Sequence, residues 1–217
     1  ATVVARAEGL GAAVIGNVVD ARTGRFFAPA VHRLGLGGRR LALLGLAPDN
    51  PFVWRAPVRE TLALLDPVAF AADAGPSAFA GVDFPVLASH AGVTADKAIL
   101  PGLPAGTAVV GGHDHLLFAH AAPGLGYAHG GSWGTHLTLV GLRAGKAPRA
   151  VPVAAAALAE RDDEATAAAV AAVLAEHLEP ADREVIAEIP ASLDLPGSVL
   201  VAAEAVRRAA EVDAALL

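Results

Sequence analysis

Hydrophobic residues occur in short continuous runs up to about Arg143, and Gly, Pro or Asp bounds each run. Runs of this length, rich in Val, Leu and Ile, are typical of β-strands. The predicted strands are residues 12–19, 40–45, 84–89 and 108–112. The uninterrupted runs FPVLAS and TAVVGG favour strands that are covered on both faces, as in a parallel sheet.

Predicted helices separate these strands. They cover residues 58–74 and 93–100, and Thr94 is a candidate N-cap of the second helix. Strands that alternate with helices predict the α/β class. We expect a layered α/β sheet.

The pattern changes after Arg143, and the segment 145–153 is a predicted boundary. Residues 161–180 form an Ala-rich predicted helix with acidic residues in its first turn and Pro180 at its end. An extended segment at 184–197, a helix at 199–211 and a strand at 212–217 are predicted to follow. A domain that begins there has too few elements to bury a core of its own.

The composition excludes several classes of protein. With 54% hydrophobic and 18% charged residues and a mean hydropathy of +0.51, the chain is not disordered as a whole. Its longest uncharged stretch, residues 116–142, contains three His and six Gly, so no membrane-spanning helix is predicted. The net charge is −6 and the 16 basic residues are scattered, which argues against binding a nucleic-acid polymer. The chain has no Cys, so any metal must be bound by His and carboxylate side chains.

Three of the eight histidines follow predicted strands. His113 and His115 lie in VVGGHDHL, and His90 ends the run PVLASH. In an extended segment, both imidazoles of an H-x-H pair point to one side and Asp114 points to the other. Strand ends that bring these histidines to one sheet edge predict a metal site, and ordinary capping of the strands is the alternative.

The other histidines have simpler interpretations. His32 is expected on the surface or in the core. His177 lies near the C-terminus of a predicted helix, where it interacts favourably with the helix dipole. His120, His129 and His136 lie near the H-x-H pair and could contact its residues, although each alone is more typical of a structural role.

Two-metal sites with His and carboxylate ligands hydrolyse phosphate esters, and they require a bridging carboxylate and further Asp or Asn ligands. The three histidines that follow predicted strands supply half of such a site. No catalytic residue and no substrate-binding residue is identified from them.

The order of several motifs resembles the metallophosphoesterase domain of the secreted 5'-nucleotidase family, which includes 2',3'-cyclic-nucleotide phosphodiesterases. The motifs are GNVVDARTGRFFAPAV, RRLALLGLAP, FPVLASHAGVTADKAIL, AVVGGHDHL and YAHGGSWGTHLTLVGL. The resemblance implies a layered β-sandwich flanked by helices. It also implies a dinuclear site with His90 and His113 on one metal and His115 on the other. It also implies that the segment 130–134, GGSWG, shapes the edge of the site.

The resemblance also implies that the chain is the middle of a longer protein. The family's D-x-H, G-D and G-N-H-[DE] motifs belong upstream of Ala1, and Gly16-Asn17 belongs to a later segment, so Asn17 is not assigned as a ligand. The implied organisation is residues 1–143 as the C-terminal half of a metallophosphoesterase domain, 144–182 as a linker with the Ala-rich helix, and 183–217 as the beginning of a second α/β domain, the nucleotidase C-terminal domain.

The leading functional hypothesis is a 5'-nucleotidase-like phosphoesterase of the periplasm, the cell envelope or the extracellular space. It would use two divalent ions, Zn, Mn or similar, to hydrolyse phosphate monoesters, nucleotides among them. With three ligands at most, the 217 residues alone are expected to bind metal weakly and turn over negligibly. The alternative is a non-catalytic envelope component that keeps this fold for assembly with other envelope proteins. A third hypothesis, that the histidines are purely structural, requires the order of the motifs to be coincidence.

Overall fold

A computed structural model describes residues 14–50, 54–122, 124–158, 163–179 and 195–209. The described residues up to Leu158 belong to one compact unit, and those from Asp163 belong to a second.

Among the described residues, ten strands lie in the first unit, and six of them form its central sheet. In chain order the strands are β1 (Val18–Asp20), β2 (Val31–Leu36), β3 (Arg39–Leu46), β4 (Leu62–Leu64), β5 (Phe84–Ser89), β6 (Ala108–Gly111), β7 (Leu117–Ala122), β8 (Leu125–Gly130), β9 (His136–Gly141) and β10 (Arg149–Ala154). The central sheet has the order β2-β3-β5-β6-β8-β7. Its four inner strands are parallel, and the two outer strands are antiparallel to their neighbours. The remaining strands form the antiparallel pairs β1-β4 and β9-β10.

The helices are α1 (Ala56–Arg59), α2 (Pro67–Phe79), α3 (Val93–Ile99), α4 (Glu164–His177) and α5 (Leu195–Ala209). Single 3₁₀ turns lie at Leu100–Gly102 and Ala155–Leu158. The core forms where α2 and α3 cover the inner strands. Leu44, Leu87 and Val109 on β3, β5 and β6 are buried there with Phe79 of α2 and Ile99 of α3. Burial on the inner strands explains why their sequences are continuously apolar. The predicted α/β class is confirmed.

The strands predicted at 40–45, 84–89 and 108–112 are confirmed as β3, β5 and β6. The strand predicted at 12–19 is wrong over 14–17, since among the described residues only Val18–Asp20 is a strand there; residues 12 and 13 lie outside the described part.

The helix predicted at 58–74 is wrong in its middle. Residues 62–64 form β4, which pairs with β1, and α2 begins only at Pro67. Asp66 sets that start, because its carboxylate accepts the Ala69 N–H at 2.7 Å and Pro67 occupies the first helical turn.

Strand β10 lies in the segment that the sequence analysis assigns to a linker. All six of its residues pair with β9, from Arg149 opposite Gly141 to Ala154 opposite His136. The segment therefore continues the first unit as a β-hairpin.

In the second unit, Asp163 caps α4 by accepting the Thr166 N–H at 2.8 Å. In α5, hydrogen bonds from Arg207 and Arg208 lower the pKa of Glu204 to about 2. The extended segment predicted at 184–197 falls outside the described residues except for 195–197, which begin α5; the strand predicted at 212–217 falls wholly outside them. Within the described part of the chain, every helix is too short or too polar to cross a lipid bilayer.

Asn17 ties β1 to its neighbours through its side chain. The buried amide donates to Ala47 O at 2.9 Å and to Leu65 O at 3.0 Å, and it accepts the Ala47 N–H at 2.8 Å. These bonds use the amide in a structural role.

We expect Asn17→Ala to lower the free energy of unfolding by about 2–3 kcal/mol, because three backbone groups lose their partner. Urea unfolding measures this. Asn17→Asp keeps the bond from the Ala47 N–H and loses both donated bonds, so it should also destabilise the protein. Equal stability of Asn17→Ala and the wild type would contradict the structural role.

Candidate metal centre

The structure brings His90 and His113 together at the carboxyl edge of the central sheet. Strands β5 and β6 are parallel and end at paired residues, Ser89 and Gly111, so the residues that follow meet at one edge. The His90 N–H donates to Leu46 O at 2.8 Å, which keeps its backbone in line with β3. The rings of His90 and His113 meet edge to face, with centroids 5.3 Å apart.

The two glycines before His113 leave room for two different histidine rings. A Cβ atom on Gly112 would lie 2.7 Å from His90 Nδ1, and a Cβ atom on Gly111 would overlap the ring of His129. Any side chain at either position would therefore displace a ring. Packing against these rings therefore favours glycine at both positions.

The H-x-H segment is not extended, so the prediction that both imidazoles point to one side of a strand is wrong. β6 ends at Gly111, and His113 and His115 both have left-handed backbones, with φ of 79° and 56°. This conformation is unfavourable for residues other than Gly, and it concentrates at functional sites where the surroundings hold it.

Asp114 fixes this loop against α3. Its Oδ2 atom accepts the Val93 N–H at 2.5 Å, at the start of the helix. The N-cap residue is Gly92, with a φ of 93°, so the prediction that Thr94 caps this helix is wrong. A carboxylate from a distant loop supplies the acceptor that the local sequence lacks.

The ring of His115 contacts Trp133. Their ring centroids are 5.8 Å apart, at an interplanar angle of 67°. Trp133 belongs to the turn after β8, within the predicted edge segment 130–134.

The electrostatics of the edge favour neutral imidazole at His90. Partial burial is the main cause that lowers the pKa of His90, and the neighbouring His113 and His115 lower it further, against an opposing effect of Asp114. Neutral imidazole is the form that binds metal ions. A neutral imidazole at His90 therefore suits a divalent ion chemically. Within the described ranges, no three His, Asp or Glu side chains lie close enough together to hold one ion.

A buried polar network lies directly behind this edge. Asp96 of α3 accepts hydrogen bonds from Ser89 and from the Tyr127 hydroxyl, the latter at 2.8 Å, and the Tyr127 oxygen lies 2.9 Å from His129 Nε2. Because the Tyr127 proton is used on Asp96, His129 must donate through Nε2–H, which leaves Nδ1 as a buried atom with no partner among the described residues. Burial and the bond to Asp96 raise the pKa of Tyr127.

The sequence pattern does not predict a role for Ser89, Asp96 or Tyr127, and it leaves the role of His129 open. The one usable signal was the spacing of Tyr127 and His129, which places both on one face of β8. The remaining histidines lie elsewhere: His32 on β2, His120 on β7, His136 at the start of β9 and His177 in the last turn of α4.

No protein-family model matches the sequence, and no curated protein matches it. Solved structures do. The sulfate thiohydrolase SoxB of Thermus thermophilus, in complex with glycerol, is similar over 80% of this chain and 34% of its own length, with 25% identity and a TM-score of 0.66. A 5'-nucleotidase precursor from Thermus thermophilus is similar over 75% of this chain and 38% of its own length, with 25% identity and a TM-score of 0.50.

The chain has the 5'-nucleotidase-like metallophosphoesterase fold. The fold that the sequence motifs predicted is thereby confirmed. The chain spans little more than a third of the length of these two structures. In this metallophosphoesterase fold, the edge that carries His90 and His113 is the carboxyl end of the parallel strands, where open α/β sheets bind their ligands.

Proposed function

We propose that this chain forms part of a metal-dependent phosphoesterase that hydrolyses phosphate monoesters, those of nucleotides among them. His90, His113 and His115 are the proposed metal ligands. The observation that carries the proposal is the contact of the His90 and His113 rings at the carboxyl edge of the sheet, in a fold shared with a 5'-nucleotidase precursor and with SoxB. The names of these two proteins both describe hydrolytic enzymes or their precursors.

Two divalent ions, Zn, Mn or similar, would supply Lewis-acid chemistry to the phosphoryl group. The chain's own residues prepare the place for them. His90 and His113 offer imidazoles from adjacent strand ends, and partial burial lowers the pKa of His90, which favours its neutral ring. Asp114 holds the loop between His113 and His115 on the start of α3.

The different ring contacts of His115 and His113 are compatible with two ions. The His115 ring contacts Trp133, whereas the His113 ring contacts His90. We propose His90 and His113 for one ion and His115 for the other. The same proposal covers the intact protein. It includes the remaining metal ligands and the nucleotide-binding residues, a location outside the cytoplasm, and any partner in the cell envelope.

We expect His113→Ala to weaken metal binding by more than about 100-fold. Removing a residue that orients a metal ligand already lowers metal affinity by about 10–100-fold, and removing the ligand itself should lower it further. Metal content by plasma mass spectrometry and calorimetric titration with Mn²⁺ measure this in the intact protein. His177→Ala, which removes an exposed imidazole from α4, is the matched control and should bind metal like the wild type.

The same variants separate an enzyme from a structural component. Hydrolysis of AMP and of glycerol phosphate should require added metal, stop with a chelator and fall sharply in His113→Ala. Unchanged metal content and unchanged function in His113→Ala would contradict the proposal and favour a non-catalytic envelope component that keeps this fold.

A further inference from the structure

The Lys and Arg residues that follow the candidate metal centre are concentrated at the turn between β9 and β10. No Asp or Glu occurs between Asp114 and Glu160, and the only Lys or Arg residues of that stretch are Arg143, Lys146 and Arg149. The whole chain has a net charge of −6, so this stretch departs from its acidic character. The three side chains are exposed, and none of them forms an ion pair with another described residue. Their positive charge is therefore not neutralised within the described part of the chain.

These three residues line an open cavity of about 560 Å³, which we name the basic cleft. Arg143 and Lys146 also line a neighbouring cavity of about 200 Å³, whose lining includes Asp83. The Asp83 carboxylate is already occupied, because its Oδ2 atom accepts the Arg40 N–H at 2.8 Å and its Oδ1 atom lies 3.4 Å from Arg39 Nη1. Cavities of several hundred Å³ are large enough for small ligands. The cleft therefore combines space for a ligand with uncompensated positive charge.

The backbone that carries these cations is fixed by turn geometry and by packing. The Lys146 N–H donates to Arg143 O at 3.1 Å, which closes a tight turn, and Gly145 has the positive φ that such a turn requires, at 70°. Arg149 is the first residue of β10, and Pro148 before it is buried against β8. Since the main chain is already ordered, a ligand in the cleft has to order only side chains.

The basic cleft lies at the opposite edge of the central sheet from the candidate metal centre. The neighbouring cavity is lined by Phe84, the first residue of β5, and by Gly106 and Gly124, which precede β6 and β8. His90 and His113 follow the other ends of β5 and β6. Because β5 is six residues long, about 20 Å separates the two edges. A small ligand in the cleft therefore does not contact the histidines.

We propose that the basic cleft binds a small polyanion that carries two or more oxyanion groups, such as phosphates. A guanidinium group can donate two parallel hydrogen bonds to one oxyanion, and a lysine adds a compact positive charge. A single exposed ion pair contributes little, whereas a ligand that engages all three cations gains several charge-assisted contacts at once. This site is separate from the proposed phosphoesterase centre, and binding there needs no metal ion.

Calorimetric titration of the intact, metal-free protein with tripolyphosphate tests this site. Leaving out metal ions keeps the test independent of the proposed function. We expect the wild type to bind tripolyphosphate at low ionic strength, and to bind orthophosphate, which has one oxyanion group, more weakly. The double variant Arg143→Gln with Lys146→Gln should bind tripolyphosphate at least about tenfold more weakly, because two charge-assisted contacts are lost.

Arg22→Gln with Arg25→Gln is the matched control. It removes the same charge from an exposed turn after β1 that lies outside both cavities, and it should bind tripolyphosphate like the wild type. All four substituted residues are exposed, so urea unfolding should give the same stability for both double variants. No binding by the wild type, or equal weakening in the two double variants, which would indicate an adventitious ion only, overturns the inference. Binding that appears only with added Mn²⁺ also overturns it, and it would favour the histidine edge of the proposed function as the site of the anion.

Discussion

Gly111→Ala should destabilise the protein by about 3 kcal/mol or more. The added Cβ would overlap the His129 ring, which provides all three of its nearest atoms. That ring cannot move aside, because it is buried, stacked on Phe118 at a centroid distance of 4.9 Å and bonded to the Tyr127 hydroxyl. Overpacking a core costs about 1–3 kcal/mol, and a displaced His129 would also lose its hydrogen bond.

Urea unfolding of Gly111→Ala, His129→Ala and the double variant identifies the cause. If the overlap with the ring is responsible, the double variant should be more stable than the sum of the single changes predicts. Strict additivity would contradict this explanation and indicate a backbone effect instead.

Gly112→Ala is the matched control at the next position. Its Cβ would meet His90 Nδ1 at 2.7 Å, but the His90 side chain is exposed and can rotate away. We therefore expect a small loss of stability together with weaker metal binding. Substitution of Gly111 should thus affect mainly stability, and substitution of Gly112 mainly metal binding. A loss of stability in Gly112→Ala as large as in Gly111→Ala would contradict this difference.

The sequence could predict the inner strands because their signal is local. Strands β3, β5 and β6 are continuous apolar runs between turn residues, and their shared carboxyl edge follows from parallel pairing. The juxtaposition of His90 and His113 follows from that edge. Strand β4 could not be predicted in the same way, because its three residues become a strand only by pairing with β1, more than 40 residues away.

The details of the candidate site depend on contacts between distant segments. The left-handed backbones of His113 and His115 have no sequence signal, since glycine is the residue that normally indicates this conformation. Asp114 caps α3 from 21 positions away. The closeness of Gly111 to His129 requires knowledge that β6 pairs with β8 in this register.

The buried network behind the histidines joins three elements that carry or support them. Ser89 precedes His90 at the end of β5, Asp96 lies on α3, and Tyr127 and His129 lie on β8. The Ala91 N–H also donates to Ser89 Oγ at 3.2 Å, which extends the network to the residue after His90. Hydrogen-bonded polar groups in a low-dielectric interior make the arrangement of these elements rigid.

Asp96→Ala should lower the free energy of unfolding by about 3–5 kcal/mol. The buried hydroxyl groups of Ser89 and Tyr127 would each lose their acceptor, at about 1–3 kcal/mol each, and a void would remain in place of the carboxyl group. Urea unfolding measures the loss. Asp66→Ala is the matched control, because this exposed aspartate makes one helix-capping bond and its removal should cost about 0.5–2 kcal/mol.

Asp96→Asn separates the contribution of the hydrogen bonds to stability from the contribution of side-chain volume. It keeps the volume and one oxygen acceptor, which can serve Ser89, and its NH₂ group would face the Tyr127 oxygen. Tyr127 would then have to turn its proton towards His129 Nε2, and His129 would have to move its own proton to Nδ1, which has no partner in the described part of the chain. We therefore expect Asp96→Asn to lie between the wild type and Asp96→Ala in stability. Since the network holds the strand end that carries His90, metal affinity should fall in the same order, and an Asp96→Ala protein no less stable than Asp66→Ala would contradict the role assigned to the network.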